Sequence, residues 1–476
     1  MTRINHFPAG ASRGKMFTEM HQLGRALQLA GLNEFALAEL FGRAWTSDDI
    51  PLVLDRYRAG DPRAALARVF VLGERVACNT LPVDVRALAE AGLVDAHDGW
   101  VSSRVRITPF AGILVVHEAE VADEGFVTGV NAASRTLATL TVRDDVERVL
   151  DVGTGSGVEA LLAARHATTV VATDINPRAL EFASLNARLN GLSLDIREGS
   201  LFDPVVGETF DLIVANPPFV VSPDTDFVFR DSGLPGDAIC REVVRGAAAH
   251  LRPGGFATVL CNWICRSPDE RWEPLAGWVE GLSCDALLFS HGVIEPLRYA
   301  SRWNEPHRKA PEAYARAVGR WLDYYEREGI VGIGIGAVIL RGRDGPGWVR
   351  GFAAPTPAAG AAGEHIRRIF AGADRLERLA SEEELLDGHF ELVRGHRLEQ
   401  ALVFRDDYEI AGVAMSLEAT VGLVAEIEPH VLPFLFELTP ERTLAEVAAA
   451  AELDAADVAR TVRRLLELGM LTSCSS

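Results

Sequence analysis

A run of small residues directly after an apolar strand (RVLDVGTGSG) has the composition of a ligand-binding loop. The strand delivers Asp151, and Gly153, Gly155 and Gly157 then lead into an apparent helix. Glycines let the main chain approach a ligand closely, and the N-terminus of a helix presents free N–H groups. The G-x-G-x-G spacing differs from that of dinucleotide sites, whose third glycine would fall at Val158. An acid two residues before the first glycine suits a cationic amino-acid tail better than a pyrophosphate.

A second acid, Asp174, ends the next apolar strand (TVVATDINP). An acid at this point lies beside the glycine loop and is able to accept hydrogen bonds from both hydroxyls of a ribose. Because NAD-binding proteins place an acid similarly, Asp174 indicates an adenosine ribose and not one particular cofactor. The alternative is that Asp174 caps the helix that begins near Asn176 and Pro177.

The segment Asn216-Pro217-Pro218-Phe219 follows the fourth apparent strand, at the carboxyl edge where ligands bind in open α/β sheets. A planar amide or amino nitrogen has a delocalised lone pair, so methylating it requires that the nitrogen be held in line with the donor. The Asn216 side-chain oxygen and the Pro217 carbonyl are able to accept both N–H bonds. Two prolines restrict this backbone, and Phe219 is able to stack on a flat acceptor. A proline-rich turn is the alternative, but the preceding glycine loop and Asp174 favour N-methylation with S-adenosylmethionine over NAD chemistry.

From the glycine loop onward, apolar strands alternate with helical stretches. This alternation is the pattern of βαβ units and predicts an α/β fold with a mostly parallel sheet. The predicted strands are Val149–Val152, Thr169–Thr173, Leu212–Ala215, Ala257–Cys261, Ala286–Phe289 and Ile333–Leu340, and one long helix is predicted at Pro311–Arg327. Its Trp321, Tyr324 and Tyr325 are expected to serve packing and not function.

These motifs resemble the class I methyltransferases with an NPPY-type motif, in particular the HemK-type release-factor glutamine methyltransferases. The resemblance covers about residues 125–345, and it implies a Rossmann-like, seven-stranded, mostly parallel sheet whose last strand is antiparallel. It also implies S-adenosylmethionine as the methyl donor. The matching segments are Asp151–Gly157, Asp174, Gly199–Pro204, Asn216–Phe219, Phe229–Gly236 and Arg252–Gly255.

The resemblance also assigns the residues of the site. Ser200 stands where many relatives carry an Asp thought to meet the adenine amino group, so adenine recognition is expected to differ. Phe219 replaces the Tyr of the glutamine-directed enzymes, whereas ribosomal-RNA guanine-N2 and some adenine-N6 methyltransferases carry NPPF. The implied acceptor-binding residues are Asn216, Pro217, Pro218 and Phe219, and the implied cofactor-binding residues are Asp151, Gly153, Thr154, Gly155, Gly157, Asp174, Ile175, Ser200, Leu201 and Asn216.

A chain of 476 residues is too long for one hydrophobic core, so about two to four domains are expected. Residues 1–104 are expected to form a helical or winged-helix-like domain, because a helix over Leu81–Val94 precedes a short hairpin near His97–Trp100. Residues 105–146 are expected to connect it to a methyltransferase core over residues 147–345. Ala353–Gly363 is the best linker candidate, since it is rich in Ala, Pro and Gly.

Residues 346–476 are expected to form a C-terminal α/β domain that ends in a second winged-helix-like unit. Thr443 and Glu446 predict a capping box, and a second helix is predicted at Asp457–Leu468. Arg460, Arg463 and Arg464 on this helix would face DNA or RNA if the unit binds nucleic acid, although exposed arginines are usually only a solvated face.

Composition limits the partners and the compartment. The net charge of −20 works against strong non-specific binding to phosphates. No apolar run approaches the ~18 residues of a membrane span, and the N-terminus lacks the build of a secretory signal, so a cytoplasmic protein is expected. Cys261 and Cys265 form a C-x3-C pair without the second half of a zinc site, so buried thiols and no metal are expected.

Three hypotheses follow from the sequence. Methylation of a protein amide or another protein nitrogen fits the HemK-like core, and the acidic chain suits a basic protein partner. Methylation of an RNA or DNA base or of a small-molecule amine fits the NPPF variant of the motif. A winged-helix DNA-binding regulator that only senses the cofactor is the third, and the intact NPPF motif weakens it.

Overall fold

The computed structural model of this chain describes residues 13–42, 61–119, 121, 123–224, 230, 234–354, 358–360, 362–418 and 420–474. Its N-terminal part combines short helices with a three-stranded antiparallel sheet of order β1-β3-β2. A separate hairpin of strands β4 and β5 follows. The elements are α1 (Arg13–Leu29), α2 (Glu34–Phe41), α3 (Pro62–Ala67), β1 (Val76–Ala77), α4 (Val85–Glu90), β2 (Val94–His97), β3 (Trp100–Ser103), β4 (Arg106–Phe110) and β5 (Ile113–His117).

The helix predicted at Leu81–Val94 is present but shorter, because α4 starts only at Val85. The Asp84 side chain accepts the N–H of Arg86 at 2.8 Å and caps the helix there. The hairpin expected near His97–Trp100 joins β2 and β3, and its turn is made by Asp98 (φ 53°) and Gly99 (φ 80°). Two consecutive residues of positive φ fit the right-handed twist of a tight hairpin.

An eight-stranded sheet forms the centre of the molecule. Its strand order is β13-β11-β12-β10-β9-β6-β7-β8, and β12 alone runs antiparallel to its neighbours β10 and β11. The predicted mostly parallel, seven-stranded arrangement with an antiparallel last strand is confirmed by β6–β12, and β13 adds an eighth strand at the edge. The strands are β6 (Val146–Val152), β7 (Ala167–Asp174), β8 (Asp195–Glu198), β9 (Phe210–Ala215), β10 (Leu251–Cys265), β11 (Cys284–Ile294), β12 (Gly332–Gly342) and β13 (Val349–Ala353).

Helices cover both faces of this sheet and build a buried apolar layer on each side. On one side Leu137 and Ala160 pack against strand residues such as Val149, and on the other side Val243 and Leu275 do the same. The helices of this part are α5 (Ala132–Leu140), α6 (Val158–Ala163), α7 (Pro177–Asn190), α8 (Ala238–His250), α9 (Glu273–Val279), α10 (Pro296–Trp303) and α11 (Pro311–Arg327).

The C-terminal part packs on the same side of the sheet as α5. Its buried residues, such as Ile366 and Leu465, belong to one apolar cluster with Leu137 and Leu260. Its elements are α12 (Ala362–Arg378), α13 (Glu382–Leu386), β14 (Phe390–Leu392), β15 (His396–Phe404), β16 (Tyr408–Leu417), β17 (Val424–Ile427), α14 (Leu432–Glu437), α15 (Leu444–Ala450), α16 (Ala455–Glu467) and β18 (Leu471–Ser473).

Residues around the expected linker belong to regular structure. Strand β13, which the sequence assigned to the C-terminal unit, pairs in parallel with β11. Gly363 lies in the first turn of α12, and a Cβ added there would come 2.2 Å from the Thr141 carbonyl oxygen. The linker prediction over Ala353–Gly363 was therefore too long, because Ala353 ends β13 and Gly363 allows α12 to approach the main chain of Thr141 closely. The predicted capping box of Thr443 and Glu446 is present at the start of α15.

Cys261 and Cys265 lie on β10 as free, buried thiols. Burial raises the pKa of Cys265 to about 11 and that of Cys261 well above its ordinary value. In the described ranges, no three His, Cys, Asp or Glu side chains are grouped in a way that would hold a metal ion. The helices in these ranges also lack the combination of length and hydropathy that a membrane span needs.

Candidate active site

The glycine loop connects β6 to α6 at the carboxyl edge of the sheet. Gly153, Gly155 and Gly157 have φ values of 69°, 56° and 86°, which lie in the region that favours glycine. A Cβ added at Gly153 or Gly155 would meet no atom within 4 Å, so the loop borders open space at these two positions. At Gly157 an added Cβ would come 3.2 Å from Ala183 in α7. The first two glycines therefore leave room for a ligand, and the third allows close packing of two helices.

Asp151 ties the loop to the helix that follows it. The side chain is only 2% exposed, and its Oδ2 accepts the Thr154 hydroxyl at 2.6 Å and the Ala160 N–H at 3.0 Å. Burial raises the pKa of Asp151 to about 6, although these two hydrogen bonds act in the opposite direction. A buried carboxyl group therefore lies next to the turn in which the sequence predicts a cationic ligand group.

Asp174 lies beside the same turn. Its Oδ2 accepts the N–H of Gly155 at 2.8 Å, and its Oδ1 accepts the N–H of Asn176 at 2.8 Å. The N-cap of α7 is Asn176, whose side chain accepts the N–H of Arg178. Asp174 therefore does not cap this helix, which removes the alternative that the sequence left open. Burial raises its pKa, and the hydrogen bonds from the main chain lower it.

Two apolar side chains border the space next to Asp174. Ile175 is 60% exposed, and Leu201 is half-buried with a φ of 46°, which is rare for a branched side chain. The Leu201 carbonyl accepts the Thr173 hydroxyl at 3.3 Å, which helps to hold this conformation. Ser200 is exposed in the same turn. Because β7 and β8 are paired neighbours, Ile175 and Leu201 follow adjacent strands at the edge of the sheet where Asp174 lies.

The segment Asn216–Phe219 is next to the glycine loop across the sheet. Ala215 pairs with Val152 of β6, so Asn216 and Gly153 leave the sheet side by side. Asn216 is half-buried, and its side chain makes no hydrogen bond to any residue that the structure describes. Pro217 is buried and Pro218 is half-buried. The register therefore brings the two predicted halves of the site together.

Phe219 has a larger packing role than the sequence suggested. It is partly buried, and it contacts three apolar clusters: those on the two faces of the sheet and one formed by α10 and α11. Its ring supports the segment Asn216–Phe219 from the core side, and only the exposed part of the ring is available to an acceptor.

Two further regions contact the site, and the sequence motifs did not reveal either of them. In the connecting segment, the Thr128 carbonyl accepts the Ser156 hydroxyl at 2.9 Å, and the Gly125 carbonyl accepts the Asn176 amide at 2.9 Å. In the second region, Tyr299 of α10 and Tyr325 of α11 form hydrogen bonds with the main chain of Val221, two residues after Phe219. The sequence treated the aromatic residues of the long helix as packing, and no motif marks either region.

Other sequence predictions fall outside this site. Of the matching segment Phe229–Gly236, only Arg230 and Leu234–Gly236 lie among the described residues. On α16, Arg460 pairs with Asp457 at 3.0 Å and Arg464 with Glu467 at 3.3 Å. These two arginines thus have carboxylate partners within the chain.

Comparisons with known proteins agree with the central part of this description. A family model described as methyltransferase small domain matches residues 127–269. The release factor glutamine methyltransferase of Xylella fastidiosa is 40% identical over 160 residues, which cover 31% of this chain and 53% of that protein. The ribosomal protein uL3 glutamine methyltransferase of Bradyrhizobium diazoefficiens is 39% identical over 127 residues, which cover 23% of this chain and 39% of that protein.

Among solved structures, a methyltransferase from Pyrococcus furiosus is 22% identical with a TM-score of 0.27 and covers 38% of this chain and 82% of its own. The chain spans about half the length of the first of these curated relatives or less. The resemblance to HemK-type class I methyltransferases is confirmed by the family model over residues 127–269 and by the two curated relatives.

Proposed function

We propose that this protein is an S-adenosylmethionine-dependent N-methyltransferase that acts on a planar amide nitrogen, with a glutamine side chain of a protein as the first candidate. The observation that carries the proposal is the half-buried side chain of Asn216, which lies beside the glycine loop without a hydrogen-bond partner in the described residues. Because no described residue uses its polar atoms and the side chain is only half-buried, the Asn216 amide is available to a substrate.

The residues around the loop fit S-adenosylmethionine. The space beside Gly153 and Gly155 would receive the amino-acid tail, and the buried charge of Asp151 would favour its cationic groups. Each carboxylate oxygen of Asp174 accepts one main-chain N–H and retains a lone pair for a ribose hydroxyl. Ile175 and Leu201 would border the adenine, with exposed Ser200 at its edge.

When bound, S-adenosylmethionine supplies an electrophilic methyl group on a positively charged sulfur. The chain's own contribution is to orient the acceptor nitrogen. The Asn216 side-chain oxygen and the Pro217 carbonyl accept its two N–H bonds, so that its lone pair points toward the loop that holds the donor. This contact strengthens as the nitrogen becomes tetrahedral, and orientation of this kind removes several kcal/mol of barrier. Phe219 supports the segment from the core side.

Two observations favour a protein amide over a nucleic-acid base as the acceptor. The matching relatives are named for glutamine methylation of release factors and of ribosomal protein uL3. In addition, a net charge of −20 fits a basic protein better than a phosphate backbone. A translation-related acceptor of this kind would place the protein in the cytoplasm.

The domain division is part of the same proposal. Residues 147–345 would carry the reaction, and residues 1–104 and 346–476 would select the acceptor. The order of α3, β1, α4 and the β2–β3 hairpin supports a winged-helix-like N-terminal unit. The order of α15, α16 and β18 supports a second such unit at the C-terminal end, although β18 pairs with β14 and not with a hairpin partner of its own.

Transfer of tritium from labelled S-adenosylmethionine tests the proposal. The acceptors would be purified release factor, purified ribosomal protein uL3, bulk RNA and a low-molecular-weight extract fraction, with protease- and RNase-treated controls. We expect label in protein that yields N5-methylglutamine on complete enzymatic digestion, and transfer at least ~100-fold slower by the Asn216→Ala variant.

Other outcomes would replace the proposal. Label that RNase removes would assign the chain to RNA methylation, and label in the low-molecular-weight fraction would indicate a small amine. Cofactor binding without transfer to any fraction, together with a salt-dependent shift of duplex DNA, would instead favour a cofactor-sensing regulator.

A further inference from the structure

The helix pair between β11 and β12 forms an apolar cluster with the segment that follows Phe219. Helices α10 and α11 are joined by a short 3-10 turn at Glu305–Lys309, and neither helix contributes a buried residue to the two clusters on the sheet faces. Instead their buried side chains pack with Val220 and Val221, and against Phe219, which ends the segment Asn216–Phe219 (the acceptor segment). The buried members of this cluster are Val220, Val221, Ile264, Tyr299, Ala300, Val318, Trp321, Tyr324, Tyr325, Ile330 and Ile333.

Both main-chain groups of Val221 bond to tyrosine side chains of this pair. The Val221 N–H donates to the Tyr299 hydroxyl at 3.3 Å, and the Tyr325 hydroxyl donates to the Val221 carbonyl at 2.9 Å. The Tyr299 oxygen also accepts the Asn262 side-chain amide at 2.7 Å, which ties it to the end of β10. All four residues are buried, so these bonds replace the strand pairing that ended at Ala215.

Asp224 provides a second attachment between the same elements. Its Oδ2 accepts the Trp321 indole N–H at 2.7 Å, and its Oδ1 accepts the Arg320 guanidinium at 3.0 Å. The Asp224 side chain is 12% exposed and that of Arg320 is 59% exposed, so the bond to Trp321 is the better protected of the two contacts. The main chain after the motif is thus bound to α10 and α11 at two points, Val221 and Asp224.

We infer that this helix pair sets the conformation of Asn216–Phe219, and that Tyr299 and Tyr325 are positioning residues for methyl transfer. The segment is fixed at one end by the pairing of Ala215 in the sheet and at the other end by Val221. Its two prolines have no N–H with which to bond elsewhere, so at its far end the tyrosines supply hydrogen bonds that add to the packing of Phe219. The inference rests on the proposed function, because it assigns these residues to the orientation of the acceptor nitrogen.

The test compares Tyr299→Phe and Tyr325→Phe with Tyr314→Phe, a matched variant of a partly buried tyrosine in the same cluster. Each change removes only a hydroxyl, and no hydrogen bond of the Tyr314 hydroxyl is found within the described residues. We expect kcat to fall at least tenfold in the first two variants, equivalent to about 1.4 kcal/mol of barrier, with KM and adenosylhomocysteine affinity within twofold of wild type. Tyr314→Phe should keep wild-type kcat.

Hydrogen exchange separates this inference from the proposed function, since it requires no acceptor. In Tyr299→Phe the Val221 amide loses its acceptor, and peptides covering residues 216–224 should exchange at least tenfold faster than in Tyr314→Phe. Tyr325→Phe should show the same change if Tyr299→Phe fails to fold. Faster exchange in a chain without methyltransferase activity would refute the function and retain the anchoring role.

The inference is overturned by exchange in residues 216–224 equal to that of Tyr314→Phe. It is equally overturned by a raised KM at unchanged kcat, which would make the tyrosines part of acceptor binding. A lowered Tm with wild-type kcat at low temperature would leave them a structural role only.

Discussion

The buried charge of Asp151 is expected to lower the stability of the ligand-free protein and to increase its affinity for the ligand. Its pKa is raised to about 6, whereas an ordinary Asp has a pKa of 3.8. Above pH 4 the unfolded chain ionises this group, but the folded chain resists ionisation until about pH 6. The free energy of unfolding therefore falls as pH rises through this interval, and at pH 7 the loss is about 3 kcal/mol.

Replacing Asp151 by Asn removes this charge and keeps an oxygen able to accept from Thr154 and Ala160. We expect the ligand-free Asp151→Asn protein to be more stable than wild type at pH 7.5, by at most about 3 kcal/mol. Its affinity for adenosylhomocysteine should fall at least tenfold, because the cationic amino group loses its buried counter-charge. Urea unfolding measures the first effect and titration calorimetry the second, with exposed Asp145→Asn as the matched control.

The pH dependence of binding provides an independent check. In the wild type, a proton competes with the ligand for Asp151 below about pH 6, so affinity should weaken as pH falls from 7.5 to 5. In Asp151→Asn this dependence should disappear. Wild-type affinity in the variant would refute the charge argument and leave Asp151 as a residue that only shapes the loop. A large loss of stability would show that its two hydrogen bonds outweigh its desolvation.

Four further variants test the remaining roles. Asn216→Ala should lower kcat at least ~100-fold, about 2.7 kcal/mol, with an unchanged Tm, and wild-type turnover would make the segment a structural turn. Asp174→Ala should weaken adenosylhomocysteine binding by ~1–3 kcal/mol in calorimetry. Asn176→Ala should lose the helix cap and the bond to the Gly125 carbonyl, at least ~1 kcal/mol of stability, and keep its affinity. Burial lowers the pKa of His365 to about 4, so the free energy of unfolding should fall by up to about 3 kcal/mol as pH drops from 6.5 to 4, and His365→Gln should flatten this part of the profile in urea unfolding.

The local structure of the proposed cofactor site was predictable from the sequence because its determinants are close together in the chain. One apolar strand, three glycines of positive φ and an acid at the end of the next strand lie within a short stretch of chain. The strands were also recognisable, since β6, β7 and β9 are largely buried and their sequences are apolar runs. Strand β8 (DIRE) was not predicted, because it is a polar edge strand with no buried residue. The role of Asp174 was left open because an Asp and an Asn near a helix start are equally good caps.

The packing of the remaining parts depends on distant residues and was not predictable in the same way. Gly363 looked like part of a linker because small residues are common in linkers, and only the proximity of the Thr141 carbonyl explains it. The aromatic residues of α11 looked like ordinary packing because their spacing is that of any buried helix face. Nothing in that spacing indicates that the Tyr325 hydroxyl reaches the main chain of Val221, which lies 104 residues earlier.

This difference between local and distant determinants bears on how acceptor choice is divided within the chain. The register of β6, β7 and β9 places the glycine loop, Asp174 and Asn216 at one edge, so these positions follow from the sheet itself. The main chain beyond Asn216 leaves the sheet and is bound by α10 and α11, which lie between β11 and β12 and outside both sheet-face clusters. Changes in this helix pair would therefore alter the position of the acceptor segment without disturbing the cofactor loop. The proposed acceptor segment and the proposed cofactor loop are thus held by different contacts, and variants of the two groups should add independently unless they share a neighbour.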